Sequence, residues 1–278
     1  MSFREIGEED LPEVVTLLAE GFPRRRPNYW RRGLANMRAL PPVPGYPRHG
    51  YLLEEDGAVQ GVILLLSTKI NNAAPRANLS SWYVRDAYRT KAPILYQLAT
   101  MQDHGLHVNL SPAAHVVPIA KAFGFKSYTS GVCLIDARAS LRPARRWRLT
   151  RYRPVLAGTI SAPMAEVAAR HLGYGCSVLM LQNGVAPPEL LIYRPKFIKG
   201  CIPCAQILHG STDHVLAAAG PLMRHLLRRG ILFALVDIGE ATRTDGFPSY
   251  PGHCLRYSKG GAPEIGDLLD SEYAVFGP

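Results

Sequence analysis

Residues 76–128 read RANLSSWYVRDAYRTKAPILYQLATMQDHGLHVNLSPAAHVVPIAKAFGFKSY, and this stretch decides the predicted fold. Its apolar periodicity predicts a strand over 78–84, a helix over 92–103, a second strand over 106–110 and a second helix over 113–123. Strands that alternate with helices in this way are typical of a sheet covered by helices. We therefore expect an α/β unit here.

A basic turn separates the first predicted strand from the first predicted helix. It contains Arg85, Arg89 and Lys91. The N-terminal end of a helix presents unpaired N–H groups and the positive end of the helix dipole, which together favour a bound anion. Arg and Lys side chains at the same place add full positive charges. The turn is therefore a candidate phosphate-binding site.

Two motifs in this stretch resemble those of the GNAT acetyltransferase superfamily. Residues 84–92, V-R-D-A-Y-R-T-K-A, are similar to that family's V-x-P-x-Y-R-x-K-G turn, and residues 120–125, A-K-A-F-G-F, to its Y-x-K-x-G-F ending. The resemblance covers residues 1–135. It implies α/β (α+β) architecture, with a mixed, mostly antiparallel twisted sheet flanked by helices. It also implies a site for acetyl-CoA or another acyl-CoA.

The resemblance assigns roles to particular positions. The backbone along the first strand would line the pantetheine arm, the basic turn would meet the pyrophosphate, and the end of the second strand would face the thioester. The implied cofactor-binding residues are Trp82, Tyr83, Val84, Arg89, Thr90, Lys91, Ala92, Ile94 and Asn109. Ser111 would also lie at the thioester end.

The sequence departs from the family pattern at two points. Residues 89–94 lack both glycines of the family's phosphate turn, and Ala120 stands where the family often has the tyrosine that protonates the leaving thiolate. Tyr128 and Ser111 are the candidate catalytic residues in its place, although Tyr128 is also consistent with a ring packed on a strand. Two hypotheses follow: an N-acyltransferase of class EC 2.3.1.-, and a catalytically silent acyl-CoA sensor.

The segments before this stretch fit the same architecture. A strand over 3–6 and a helix over 11–22 precede a proline-rich loop. Asp56-Gly57 then joins two strand-like runs, which is a strong hairpin signal. The second run is apolar at nearly every position, as expected of a strand covered on both faces. Loops 41–48 and 248–253 would carry specificity for an amine acceptor, small molecule or peptide.

The second half of the chain repeats the first in outline, which predicts an internal duplication. We expect a GNAT-like domain over 1–137, an Arg-rich linker over 138–153 and a degenerate GNAT-like domain over 154–278. The loop 209–213 of the second copy has no Lys or Arg, so this copy is not expected to hold coenzyme A. The closing residues, LLDSEYAVFGP, resemble a final strand.

Charge and composition restrict the class of protein further. The net charge of +10 over 278 residues suits a polyanionic partner. The seven arginines of 138–153 would suit an acidic acyl-carrier protein as donor, the 3′-phosphate of coenzyme A, or solvent alone. No recognised nucleic-acid module accompanies the arginines, so nucleic acid is not favoured. No apolar run has membrane-spanning length, the five cysteines are scattered and no metal site is expected. These features predict a cytoplasmic protein.

Overall fold

A computed structural model describes residues 1–69, 74–102, 105–143, 146–198, 200–244 and 246–277. The chain forms two compact units, each assembled from two segments of sequence. Residues 1–127 and 256–262 make the first unit, and residues 128–255 and 263–278 make the second.

The strands and helices follow in chain order. The strands are β1 Ser2–Glu5, β2 Gly50–Glu55, β3 Ala58–Thr68, β4 Arg76–Val84, β5 Leu106–Asn109, β6 Lys126–Ser127, β7 Gly131–Asp136, β8 Trp147–Arg151, β9 Ser177–Asn183, β10 Glu189–Ile198, β11 Ile202–His209, β12 Phe233–Ile238, β13 Ser249–Pro251 and β14 Tyr257–Lys259. The α-helices are α1 Leu11–Gly21, α2 Pro27–Ala39, α3 Ala92–Leu98, α4 Val117–Ala122, α5 Ala162–Gly173, α6 Thr212–Ala217, α7 Ala219–Leu227 and α8 Glu272–Val275. The predicted α/β class is confirmed.

The first unit is built on a sheet with the strand order β1-β2-β3-β4-β5-β14-β6. Its β2–β3 hairpin turns at Asp56 and Gly57, whose φ angles of 52° and 75° are those of a type I′ turn. Along β3, residues 62–66 are buried without interruption. Both faces of this strand are therefore covered, as the sequence predicts, and α1 and α3 pack against it.

The second unit repeats this arrangement with the strand order β8-β9-β10-β11-β12-β7-β13. Position by position, the two orders match if β7 takes the place in the second sheet that β14 takes in the first. β11 and β12 are parallel, as β4 and β5 are, and the other pairs in both sheets are antiparallel. The internal duplication inferred from the sequence is thus visible in the topology.

The unit boundaries differ from the predicted domain boundaries of 1–137, 138–153 and 154–278. β7 belongs to the second sheet, although it precedes the predicted linker, and β14 belongs to the first, although it lies near the chain's end. The predicted linker itself contains a 3₁₀-helix, Ala137–Leu141, and β8, an edge strand of the second sheet. Residues 144 and 145 of that segment lie outside the described residues.

The closing residues do not form the expected strand. Ser271 precedes a one-turn helix, α8, whose Ala274 and Val275 are buried. Arg194 of β10 donates a hydrogen bond to the carbonyl of Ala274. The apolar residues of this segment therefore pack as a helical turn on the second unit and extend no sheet.

Candidate functional site

The geometry of the first unit centres on a bulge in β4. The register between β3 and β4 shifts at Ile63/Leu64, because Ile63 pairs with Trp82 while Leu64 pairs with Ser80. Ser81 is the extra residue, with a left-handed φ of 43°. A bulge leaves its extra residue out of the ladder and bends the strand. β4 therefore turns away from its neighbour at this point.

The parallel pairing of β4 with β5 ends two residues before the bulge residue. Within the described chain, the pairs run from Arg76–Leu106 to Leu79–Asn109 and no further. Residues 80–84 continue to pair with β3 on their other side. The ladder between the two central strands therefore ends at Leu79 and Asn109, and we infer that β4 bends away from β5 beyond this point and leaves a cleft with peptide groups along its β4 edge.

Two buried asparagines hold the vertex of this cleft. Asn78 donates through Nδ2 to the carbonyl of Leu79, at 2.9 Å, and to that of Val108, at 3.4 Å. Asn109 donates through Nδ2 to the hydroxyl oxygen of Tyr96, at 3.4 Å. Burial raises the pKa of Tyr96 to about 12, so its hydroxyl stays protonated. These bonds fix β4, β5 and α3 together where the strands separate.

The residues expected beside the pantetheine arm are placed as follows. Trp82 is half-buried and its ring lies 5.2 Å from that of Tyr96, while Val84 is buried. The Tyr83 hydroxyl donates to Glu20 at 3.1 Å, and its ring packs closely on Gly21 of α1. Their side chains are thus engaged with the unit's interior and with α1, so a ligand in the cleft would meet mainly their peptide groups.

The basic turn is helical. Residues 86–91 form a 3₁₀-helix, Asp86–Lys91, that continues directly into α3. Helix α3 ends at Leu98, before the predicted end at residue 103, which lies outside the described residues. The N–H of Ala92 donates to the Arg89 carbonyl, and Pro93 has no N–H. In this part of the turn, a bound phosphate would therefore meet side chains. The unpaired N–H groups expected from the sequence are not available at Ala92 and Pro93.

The basic side chains of the turn are not equivalent. Arg85 is committed to the fold, because it binds Glu20 with Nη2 at 2.8 Å and Gln60 with Nη1 at 3.0 Å. Arg89 pairs at the surface, where Nη2 lies 2.7 Å from Asp86 and both side chains are more than two-thirds exposed. Such exposed pairs contribute about 0–1 kcal/mol and exchange readily. Arg89 and the half-exposed Lys91 can therefore turn towards an anion.

The other predicted turn residues and the catalytic candidates lie in different surroundings. Thr90 and Ile94 are exposed at the turn, and Ser111 is exposed just after β5. Tyr128 is the first residue of the second unit, and its hydroxyl oxygen is buried. Ser111 alone of the two candidates therefore belongs to the unit that has the open cleft.

The second unit has the same cleft geometry at matching positions. Ile192 of β10 pairs with His209 and Tyr193 with Ile207, so Leu208 is the bulge residue of β11. The pairing of β11 with β12 ends at Gln206–Leu235, again two residues before the bulge. Both copies therefore contain a bulged strand that separates from its parallel neighbour at the same step.

The chain itself fills this second cleft. The N–H of Leu268 donates to the carbonyl of the bulge residue Leu208 at 2.7 Å. Ile265 packs so closely on Gly239, just after β12, that a Cβ there would lie 2.2 Å from the Ile265 Cδ1 atom. Gly266 lies against Gly210, just after β11. Residues 265–268 thus occupy the space that is a cleft in the first unit.

A buried ion pair fastens this segment to α5. Asp270, 2% exposed, receives hydrogen bonds from Arg170 Nε at 2.9 Å and Nη2 at 2.7 Å. Its N–H donates to Nε2 of His171, whose Nδ1–H donates to the carbonyl of Val167. Burial lowers the pKa of His171, which keeps the ring neutral in this arrangement.

Sequence reasoning missed several residues that shape the open cleft. Asn78 and Tyr96 were assigned only to a strand and a helix, and Ser80 and Ser81 had no role. A buried asparagine inside an apolar strand was an available signal, since such a side chain requires partners. The bulge at Ser81 had no local signal, because it depends on the register with β3.

The described residues contain neither a membrane-spanning helix nor a metal-ligand cluster. Among them, no helix is both long and apolar enough to cross a bilayer. No cluster of three or more His, Cys, Asp or Glu side chains in the same residues is arranged to hold a metal ion.

Comparisons of the fold identify similar solved structures. A GCN5-related N-acetyltransferase from Anabaena variabilis matches 98% of this chain and 74% of its own, with a TM-score of 0.60 and 12% identity. A tandem GNAT protein from the clavulanic acid biosynthesis pathway matches 95% of this chain and 99% of its own, with a TM-score of 0.54 and 14% identity. A GCN5-related N-acetyltransferase from Kribbella flavida matches 98% of this chain and 74% of its own, with a TM-score of 0.54 and 11% identity.

The chain resembles solved structures in its fold, whereas sequence comparisons find no match. No sequence model of a protein family and no curated protein sequence matches the chain. At 11–14% identity, the structural likeness establishes the fold. The chain therefore has a tandem GNAT fold, as the sequence motifs predicted.

Proposed function

We propose that this chain is an N-acyltransferase that binds one acyl-CoA in the cleft of its first unit and transfers the acyl group to an amine. The observation that carries the proposal is the opening between β4 and β5 beyond Leu79 and Asn109. Its β4 edge offers peptide groups that could pair with the amides of a pantetheine arm. The tandem GNAT fold supports the same assignment.

The exposed charges at the end of β4 fit a pyrophosphate. Arg89 and Lys91 follow the cleft strand, and the ion-pair partner of Arg89 among the described residues is Asp86, at the surface. Charge-assisted contacts from Arg and Lys to phosphate are among the stronger hydrogen bonds of proteins. Because Ala92 uses its N–H within the turn, the affinity would depend on these side chains more than on the backbone.

The proposed reaction requires three events at the thioester. The amine loses a proton to a base or to water as its nitrogen bonds to the carbonyl carbon, the resulting oxyanion is stabilised, and the carbon–sulfur bond breaks as the thiolate takes up a proton. Ser81, as the extra residue of the bulge, is the candidate oxyanion donor through its N–H. Ser111 is the candidate proton donor in this unit. Holding both substrates in one cleft supplies much of the acceleration.

Two alternatives to the proposal differ from it, one in having no catalytic turnover and the other in the acyl donor. An acyl-CoA sensor without turnover is favoured by the buried Ala120 at the usual tyrosine position and by the assignment of Tyr128 to the second unit. Acyl-carrier protein as donor is favoured by Arg148 and Arg151, which are exposed on the edge strand β8. Release of free thiol from acyl-CoA in the presence of amines separates the enzyme from the sensor.

A ligand-induced shift in melting temperature tests the binding step. A ligand present at 100 times its Kd stabilises the folded state by about 2.7 kcal/mol, which is roughly 5–10 °C for units of this size. We expect acetyl-CoA or a longer acyl-CoA to produce such a shift in the wild type. Arg89→Ala and Lys91→Ala should reduce it.

Arg228→Ala provides the matched control, since it removes one exposed cation from the second unit. It should leave the shift with acyl-CoA unchanged. No shift with acetyl-CoA, longer acyl-CoAs or free coenzyme A would contradict the proposal, and so would an equal loss of affinity in the Arg228 variant.

A further inference from the structure

Strand β8, Trp147–Arg151, forms one edge of the second sheet. Within the described chain its ladder is with β9 alone, and the two strands are antiparallel. The Arg146 carbonyl accepts a hydrogen bond from the Gly184 N–H, and the Tyr152 N–H donates to the Val178 carbonyl. The even-numbered residues thus direct their peptide groups towards β9, because this direction alternates along a strand. The odd-numbered residues of β8 direct theirs towards the open side of the sheet.

The side chains of β8 are arranged as on an accessible edge strand. Arg148 and Thr150 are exposed on one face, while Trp147 and Leu149 are only partly buried against the core of the second unit on the other. β8 itself contains neither a proline nor a register shift, which are two of the devices by which natural sheet edges avoid pairing. Its charged side chains are a third such device. A further strand can therefore pair with β8 if it complements that charge.

Positive charge is concentrated at this edge. Residues 138–153 contain seven arginines and no Asp or Glu. Arg151 lies on the same face of β8 as the core-packed residues, which is the face that α7 covers. There it meets the charges at the end of α7, since burial and then the charges of Arg229, Arg228 and Arg151 lower the pKa of His225 to about 4. Both faces of the edge are therefore basic.

The charge of the edge indicates which partner fits it. A second copy of the chain paired through β8 would bring Arg148 and Arg151 of both copies onto one short ladder, where like charges repel. Acidic side chains in the same positions would stabilise the pairing. We propose that β8 binds an extended acidic segment of a partner protein, which adds to the second sheet as a further strand. This proposal concerns a surface of the second unit alone and does not depend on the proposed transferase activity.

Fluorescence anisotropy of a labelled peptide with the full chain tests the binding. The probe has the sequence EVEVEVE, whose alternation places its glutamates on one face of a strand. In about 150 mM salt, which screens long-range attraction, we expect saturable binding of EVEVEVE and none of the basic peptide KVKVKVK. Reversing two charges of the edge, with Arg148→Glu and Arg151→Glu together, should weaken the binding by about tenfold or more. Arg24→Glu, at an exposed arginine of the first unit, is the control and should leave it unchanged.

Hydrogen exchange followed by NMR separates strand addition from attraction between charges alone. Strand addition gives hydrogen-bond partners to the N–H groups of Leu149 and Arg151. With about nine-tenths of the chain bound, their exchange should slow about tenfold, since it then proceeds mainly from the free protein. The N–H groups of Arg148 and Thr150 face β9 already, so their exchange should change less. No saturable binding of EVEVEVE would overturn the proposal, and so would unchanged exchange at Leu149 and Arg151 in the complex.

The other occupants of this edge give different results. A single-stranded DNA of about 12 nucleotides that displaces labelled EVEVEVE as well as the unlabelled peptide does would overturn the acidic segment in favour of nucleic acid. Sedimentation velocity that shows a dimer, with the N–H groups of Leu149 and Arg151 protected in it, would overturn it in favour of a second copy. The thermal shift with acyl-CoA should be unchanged in the Arg148→Glu/Arg151→Glu variant, so this proposal and the acyl-CoA site can fail separately.

Discussion

Asp270→Asn tests whether the closing segment is fastened to the second unit as the structure indicates. The carboxylate of Asp270 is buried and accepts two hydrogen bonds from Arg170. Its φ of 47° lies in the left-handed region, which Asn tolerates better than most residues. The substitution therefore removes the charge and one strong acceptor, and it keeps the size and the backbone conformation.

The expected cost follows from the burial of the pair. Removal of one partner from a buried ion pair typically costs 3–5 kcal/mol, because a buried charge is left without compensation. The Arg170 side chain is 25% exposed, so water can solvate part of its charge. We therefore expect the free energy of unfolding of this segment to fall by about 2–4 kcal/mol.

Hydrogen exchange measured by mass spectrometry gives the most direct readout. A loss of 2–4 kcal/mol corresponds to roughly a 30- to 900-fold faster exchange at amides that exchange by opening of the segment, including the N–H of Leu268. Glu240→Gln, at an exposed carboxylate of the same unit, is the control and should change exchange little. Acceleration of less than about threefold in the Asp270 variant would refute the reasoning.

Three further predictions concern stability. Burial and then Arg229 lower the pKa of His225 to about 4, so the folded state resists a proton that the unfolded chain accepts. The contribution of His225 to the free energy of unfolding should be full above pH 6.5 and should fall below it by up to about 1.4 kcal/mol per pH unit. Urea unfolding at a series of pH values should show a weaker dependence on pH for His225→Gln. Ser81→Gly should maintain stability or raise it, whereas Ser81→Val should lower the free energy of unfolding by about 1–2 kcal/mol or more, as measured by urea unfolding. Ser258 lies between β5 and β6 in the first sheet, so Ser258→Pro should lower the free energy of unfolding by about 3 kcal/mol or more and speed the hydrogen exchange of the β5 amides. Unchanged protection of these amides from exchange would contradict the placement of β14.

Local sequence signals predicted the local geometry well. The Asp56-Gly57 hairpin, the buried β3 and the strand before the basic turn formed close to their predicted bounds. Each depends on turn chemistry or on periodicity within about ten residues. The GNAT fold followed from motifs of similar length, since V-R-D-A-Y-R-T-K-A lies where β4 passes into α3.

Long-range pairing was the main source of error. β14 pairs with residues more than 100 positions away in sequence, and a three-residue strand has no periodicity by which to recognise its sheet. β7 was placed in the first domain for the same reason, because short strands are assigned by default to their sequence neighbours. Residues 265–267 had no predicted element and Leu268 was placed in the expected closing strand, so no local pattern indicated that this segment fills a cleft.

At the candidate site, the structure shows partners of individual side chains and backbone groups that the sequence did not indicate. Arg85 looked equivalent to Arg89, yet its partner Glu20 lies 65 residues earlier in the chain. Residues Asp86–Lys91 read as an open turn, yet they form a 3₁₀-helix whose geometry uses the N–H of Ala92. Neither difference could be inferred without the tertiary partners of each side chain.

The binding stoichiometry of acyl-CoA tests the central claim most directly. Isothermal titration calorimetry of the full chain with acetyl-CoA, or with the acyl-CoA that gives the largest thermal shift, measures it. The open cleft of the first unit and the filled cleft of the second predict one molecule bound per chain. Two molecules per chain would contradict the filled second cleft, and no binding would contradict the acyl-CoA site itself.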